Sequence, residues 1–423
     1  MISVLEHTKN SCESFSPINS YINYPMNIQQ WCTPYLKQAN EEREYLHRFP
    51  ELSYQEFETT NYIEQQLTQL GLVVERPLDT GCVAIIEGDI TSDRVVALRA
   101  DIDALPIQEE GEAKADFFST RPGIAHCCGH DAHTANLLGV ARVLAKHTSH
   151  ISGKVLLIFQ PGEETLPGGG RLLCETGWLQ KYPIQQIFGL HTSPSHEVGT
   201  IATRPGELMA APDEFHVTIR GVGGHAARPH EAIDPVVIAA ECISAFQTIV
   251  SRSVDPTESA VVTIGRIEGG TAHNIIPEKL QLWGTIRSFS SATAKRIEQR
   301  MHQLCAGIAQ AHDAEISLTI NKGYPAVIND ERAAKQVLNH AQNLFTTDRV
   351  VEMERPIMAG EDFSFYQQFF PGAFFFVGSG SQESDSTYVW HHPKYNVDPG
   401  FFETAMPLMV SLAIGGSGES GKE

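Results

Sequence analysis

Basic residues are scarce in this sequence. Lys and Arg number 31 against 51 Asp and Glu, and the formal charge is −20. A nucleic-acid binder or a protein of an anionic membrane surface needs a basic face, so the balance argues against both partners. Long apolar runs are missing too, since none approaches the roughly 20 residues of a membrane span. The opening MISVLEHTKNSCESF has an early acid and no apolar core, unlike a secretory signal, and the expected compartment is the cytoplasm. Hydrophobic residues at 42% and charged residues at 19% exclude disordered and low-complexity classes. Eight cysteines in such a chain read as buried thiols rather than a disulfide framework. The pair Cys127-Cys128 stands apart because His126 and His130 flank it.

A length of 423 residues suggests two or three domains. Residues 1–35 lack periodicity and read as an extended arm. A helical pattern begins near Asn40, and a helix over 56–70 is stopped by Gly71. CVAIIEG, RVVALRADID, KVLLIFQ and QQIFGLH read as strands, with a helix over 133–146 between the second and third. That alternation predicts an α/β fold with a doubly wound, mostly parallel sheet. Near Pro212 the rhythm changes. Phe215, Val217 and Ile219 alternate with polar neighbours, and a β-α-β-β-α-β order follows to about residue 322, which predicts an inserted ferredoxin-like α+β domain. The α/β pattern resumes with AFFFVGS. The expected division is an arm at 1–35, catalytic segments at 36–211 and 323–423, and a lid at 212–322.

Ligands of open α/β sheets bind beyond the carboxyl ends of the strands. Asp101 and Asp103 follow VVALRA, Glu163 and Glu164 follow VLLIFQP, and His191 follows IFGL. AHCCGHDAH opens a helix, and VWHHPKY lies near the C-terminus. Any one of these could be a solvated loop, but their recurrence at equivalent edges points to a site. Cys, His and carboxylate suit borderline divalent metals such as zinc. Cys128 and His130 lie close enough to share an ion. Adjacent Glu163 and Glu164 repel each other unless positive charge compensates, and one could ligate while the other faces substrate, as metal-assisted hydrolysis requires.

The segments HRFPELSYQE, LRADIDALPIQE, HCCGHDAHTANLLG, FQPGEE, GLH, GHAARPH, AHNIIPE, GTIRSF, MAGEDFSFY and HHPKYNVD run in order from Leu46 to Phe402. In them the chain resembles the amidohydrolase branch of the aminoacylase and carboxypeptidase metallopeptidases, which includes hippurate hydrolases, auxin-conjugate hydrolases and N-acetyldiaminopimelate deacetylases. The resemblance implies two divalent ions, zinc or manganese, held by Cys128, His130, Glu164, His191 and His391, the last chosen over His392 because it lies two residues before the Pro. It implies Glu163 as general base, Asp101 and Asp103 as groups that orient a ligating histidine, and a lid that mediates a homodimer. His225 would polarise the scissile carbonyl, often in the partner's site. Asn274 and Arg287 would hold the substrate's carboxylate, with Gly360 of MAGEDFSFY also lining the substrate. Two departures stand out: Cys127 and Gly162 replace the usual Ala. The implied activity is hydrolysis of an N-acyl amino acid. A dipeptidase or carboxypeptidase with the same centre is the alternative, with an inactive metal- or ligand-binding protein, or a scaffold, more remote.

Overall fold

The structure is a computed structural model that describes residues 27–415. Its larger sheet has eight strands in the order Val73–Glu75, Cys82–Glu87, Ser152–Gln160, Ile90–Asp101, Gln186–Glu197, Gly372–Gly380, Ile201–Thr203 and Val350–Glu352. The four central strands run parallel, and antiparallel pairings flank them on both sides. Both faces are covered, which is why these strands read as unbroken apolar runs. Val155, Leu157, Phe159, Phe375 and Val377 pack on one side, with helices Ile28–Arg48, His130–Lys146 and Phe401–Ile414. Leu156, Ile158, Phe374 and Phe376 pack on the other, over Leu173, Cys174 and Phe363.

The second sheet is antiparallel, in the order Ala260–Gly269, Lys279–Ser288, Ala211–Arg220 and Glu315–Asn321. In sequence order that is 2-3-1-4, the ferredoxin-like arrangement. Helices Pro235–Ser253 and Ser291–Ala311 cover one face, burying Phe215, Val217, Phe246, Leu282, Ile297 and Met301. Alternation along Ala211–Arg220 puts alternate residues in that core, as a one-sided sheet demands.

Two expectations change. Residues 28–35 are not an extended arm but the start of helix Ile28–Arg48, whose N-terminal amide of Gln30 donates to the Asn27 side chain. The rest of that arm, 1–26, lies outside the described residues. The helix escaped notice because its buried stripe includes Glu42, Arg43 and His47 beside Ile28, Cys32, Ala39 and Leu46, which blurs the apolar period. Second, among the described residues one helix, Pro235–Ser253, is long and apolar enough to cross a membrane by length and composition. It instead packs Ile238, Cys242, Phe246 and Ile249 against the smaller sheet and leaves Val236 and Val237 exposed.

Candidate metal centre

The chemistry-bearing side chains gather at the carboxyl ends of the central strands. Asp101 ends its strand, Glu163 and Glu164 follow Ser152–Gln160 within four residues, and His191 lies within Gln186–Glu197. Cys128 and His130 flank Gly129, which caps helix His130–Lys146 with φ +97°. A Cβ at Gly129 would stand 2.5 Å from Thr192 Oγ1 and 2.7 Å from the Tyr395 hydroxyl, so no other residue fits without displacement. Gly162 takes φ +63°, and a Cβ there would stand 2.3 Å from the Tyr54 ring. That contact accounts for glycine where the resemblance leads one to expect alanine.

The five expected ligands and Glu163 converge. Cys128 Sγ lies 3.4 Å from His191 Nε2, His391 Nε2 lies 3.2 Å from Glu164 Oε1, and His130 Nε2 lies 3.9 Å from the same oxygen. Cys128, His130 and His191 form one compact donor group, and Cys128, Glu164 and His391 form a second that shares the thiol. His130, Glu163 and Glu164 form a third. Hydrogen bonds fix the imidazole tautomers. His130 Nδ1 donates to the carboxylate and the backbone carbonyl of Asp103, both at 3.0 Å, and His191 Nδ1 donates to the Thr192 carbonyl at 2.8 Å, so that both Nε2 atoms face inward. His130 Nε2 and Glu164 Oε1 are buried with no hydrogen-bond partner among the described residues. A buried imidazole nitrogen and a carboxylate oxygen without a well-formed hydrogen bond, converging with a second histidine beside a thiol, are costly alone and make a donor set that fits a divalent cation.

His391 adopts φ +65°, rare for a residue with a Cβ, and its amide donates to the Cys127 carbonyl at 2.8 Å. His392 turns elsewhere: its Nδ1 accepts from the Lys394 amide, and its ring stacks on Tyr388.

The electrostatics ask for positive charge. Burial, reinforced by Glu164 and Glu163, pushes the Cys128 thiol well above its usual range. Burial, then Glu361 and Glu164, raises Glu163 well above the normal carboxyl range. Burial alone would lower His130, but Asp101 and Asp103 override it and raise the imidazole to about 10.

Asp103 sits behind the ligands as expected. One oxygen accepts from His130, and the other accepts from Ser53 Oγ at 2.7 Å and the Glu164 amide at 3.0 Å. Asp101 is placed differently. It accepts from His133 Nδ1 at 2.6 Å and from Arg99 at 2.7 Å, so it orients His133 rather than an expected ligand. His133 Nε2 in turn accepts from the Thr192 amide, which satisfies both ring nitrogens. Sequence reasoning passed over Arg99, Glu361 and Asp362. Arg99 is fully buried and bonds Glu361 at 3.0 Å and Asp362 at 2.8 Å, and these acids group with Glu163. The doubled acid in MAGEDFSFY, so like Glu163-Glu164, was the available signal.

The lid residues fall into two places. His225 pairs with Ile275 across a short two-stranded ladder, and the Ala226 amide donates to the Asn274 carbonyl at 3.1 Å. Arg287 pairs with Val261 and Pro212 at the far end of strand Lys279–Ser288 and donates to the Met358 carbonyl at 3.2 Å. Gly360 is beside it, close enough that a Cβ would strike Pro212. At about 3.3 Å per residue a ten-residue strand spans roughly 30 Å. Arg287 and Gly360 both adjoin Pro212, while His225 and Asn274 form a separate pair at the opposite end of the strand. Among the described residues neither of that pair bonds to the ligand cluster.

The sequence profile of peptidase family M20/M25/M40 matches residues 97–413. N-acetyl-L-cysteine deacetylase of Bacillus subtilis is 41% identical over 360 residues, covering 84% of this chain and 82% of its own. Thermostable carboxypeptidase 1 of Saccharolobus solfataricus is 37% identical, covering 88% of this chain and 93% of its own. Among solved structures, the Bacillus subtilis YXEP protein, described as a dinuclear metal binding peptidase, superposes with a TM-score of 0.78 at 34% identity over 90% of this chain and 98% of its own.

Proposed function

The chain belongs to peptidase family M20/M25/M40, and on that footing we propose that it releases the amino acid from small N-acyl amino acids, with Glu163 as the proton-transfer group. It is a hydrolase of amide bonds, and its centre takes divalent metal. The observation that carries the reading is the placement of Glu163, buried and within 4.8 Å of the donor atoms of His130 and Glu164.

We assign Cys128, His130, Glu164, His191 and His391 to hold two ions. A divalent pair supplies Lewis acidity at the scissile carbonyl and makes water a nucleophile near neutral pH. The thiol and imidazoles favour zinc by softness, and manganese is the rival that reconstitution would distinguish. Glu163 accepts the proton of the attacking water and passes it to the departing nitrogen. Tyr324 donates to the Glu163 carbonyl and Asp362 donates its amide towards Oε1, which keeps that carboxyl in place. Arg287 presents a planar fork suited to the amino acid's carboxylate, beside Gly360. His225 and Asn274 stand too far along the lid to join Arg287 in one subunit. We therefore assign them to the site of a second copy, in a homodimer formed through the lid at residues 212–322. The exposed Val236 and Val237 support that contact. The described cysteines are free and buried, which suits a cytoplasmic location.

A carboxypeptidase is the second reading, favoured by the Saccharolobus relative. The same centre would serve both, and only the acyl side of the substrate differs. A screen of N-acetyl, N-benzoyl and indole-acetyl amino acids against dipeptides, with zinc or manganese returned to the apoenzyme, tests the proposal. Metal-dependent release of amine from the acyl amino acids supports it. Turnover of dipeptides alone moves the assignment to the peptidase.

A further inference from the structure

Beneath the loop that carries His391 lies a set of buried charges with no part in the chemistry above it. Arg43, on helix Ile28–Arg48, donates Nη1 to the Val397 carbonyl at 2.7 Å and Nη2 to Asn396 Oδ1 at 2.6 Å. Its Nε lies 3.3 Å from Asp131 Oδ2, and Asp131 directly follows the ligand His130. His47 bridges Asp131 at 2.8 Å and Glu109 at 2.6 Å. Glu109 pairs with Lys114 at 2.7 Å, and Lys114 Nζ reaches the Pro393 carbonyl at 3.3 Å. The circuit thus begins two residues after His391 and ends at Val397. It grips the loop at both ends and ties it to the helix that supplies His130. The side chains of all five are nearly inaccessible, Lys114 and His47 at 1%.

Burying so many charges is a poor route to stability, because desolvation offsets the attraction between them. Their arrangement suits a different task. His391 holds a left-handed backbone conformation that costs free energy and persists only when its surroundings over-determine it. It is also the one expected ligand on the C-terminal loop, far in sequence from the other four.

We propose that Arg43, His47 and Lys114, through Asp131, Glu109 and Asn396, are positioning residues that hold the His391 loop in register with Cys128 and Glu164, and so set the affinity of one of the two metal sites. The inference rests on the dinuclear reading given above. His391 belongs to a single compact donor group, Cys128–Glu164–His391, whereas Cys128–His130–His191 does not use it. Loosening the loop therefore weakens one site and spares the other.

The test uses full-length apoenzyme titrated with zinc against a chromophoric chelator, which resolves two affinities. Arg43→Lys keeps the charge but cannot reach three acceptors at once. Asn396→Ala removes the one side-chain anchor on the loop, beside the Val397 and Pro393 carbonyls, and leaves every buried charge in place, so it decides the matter if Arg43→Lys fails to fold. The expected result is a loss of about tenfold or more at one site, of the size seen when a group behind a ligand is removed, with the other site within about threefold. Saturating zinc restores kcat, and Asn396→Asp, which still accepts from Arg43, regains affinity. Two affinities that stay unchanged, or fall together, overturn the proposal and leave the circuit as a fold-holding element. Wild-type enzyme that takes up only one ion, or hydrolyses no amide, would refute the functional reading instead.

Discussion

Replacing Asp103 by Asn tests how the ligands are held. Asp103 accepts three bonds through its carboxylate, from His130 Nδ1, Ser53 Oγ and the Glu164 amide. The first helps the Asp103 backbone carbonyl, which also accepts from His130 Nδ1 at 3.0 Å, to fix the tautomer of one ligand, and the third fixes the backbone of another. An amide keeps one accepting oxygen and presents an NH2 where the second oxygen stood. If the oxygen stays with His130, that NH2 faces the N–H of Glu164, and at least one buried donor is left unpaired. If it turns towards Glu164, the NH2 faces His130 Nδ1 and opposes the required tautomer. An unsatisfied buried donor costs about 1–3 kcal/mol. At about 1.4 kcal/mol per factor of ten, metal binding should weaken roughly tenfold to a hundredfold, in line with other groups behind metal ligands. Competition with a chelator measures this directly, and thermal unfolding of the apoenzyme separates it from general damage. A zinc affinity within twofold of wild type would show that the Asp103 carboxylate does not orient His130 and that the backbone carbonyl suffices.

Three further outcomes follow from the geometry. His391→Ala should lower metal content and activity together while His392→Ala changes neither, because His392 faces Tyr388 and Lys394; metal analysis of both variants checks this. Mixing inactive Glu163→Gln subunits with inactive His225→Ala subunits should restore part of the activity after exchange, and no recovery despite demonstrated exchange would place His225 outside a partner's site. Zinc uptake should release protons and tighten as pH rises. The Cys128 thiol is raised by burial and its acidic neighbours, so it is protonated in the apoenzyme at neutral pH and must lose that proton to ligate. Each proton released makes affinity rise up to about tenfold per pH unit, and calorimetry in buffers of different ionisation enthalpy counts the protons.

Much of the site was legible because it follows the strands. A parallel sheet buried on both faces writes itself as runs such as AFFFV, and the residues just past each run are the ones at the ligand edge. The ferredoxin-like insertion was legible for the opposite reason: its sheet has one core face, so Phe215, Val217 and Ile219 alternate with polar neighbours. What escaped depended on partners distant in the chain. Arg99 meets Glu361 and Asp362 across more than 260 positions. Glu42 is buried in the first helix because Arg142, 100 residues on, bonds it. Without that knowledge Glu42 reads as solvent-facing and its helix loses its stripe. Asn274 and Arg287 posed a third difficulty: the strand KLQLWGT between them is legible and argues against their meeting, and it is the resemblance alone that joins them.

The most direct test of the account is Glu163→Gln, assayed for amine release from N-acetyl amino acids alongside metal content. The substitution keeps the shape of the side chain, leaves Glu164 and the other donors untouched, and removes the proton acceptor. Loss of a general base typically costs about a hundredfold to ten-thousandfold. The account predicts a fall in kcat of at least about a hundredfold with the full complement of metal retained. Activity within about tenfold of wild type, at full metal occupancy, would contradict it.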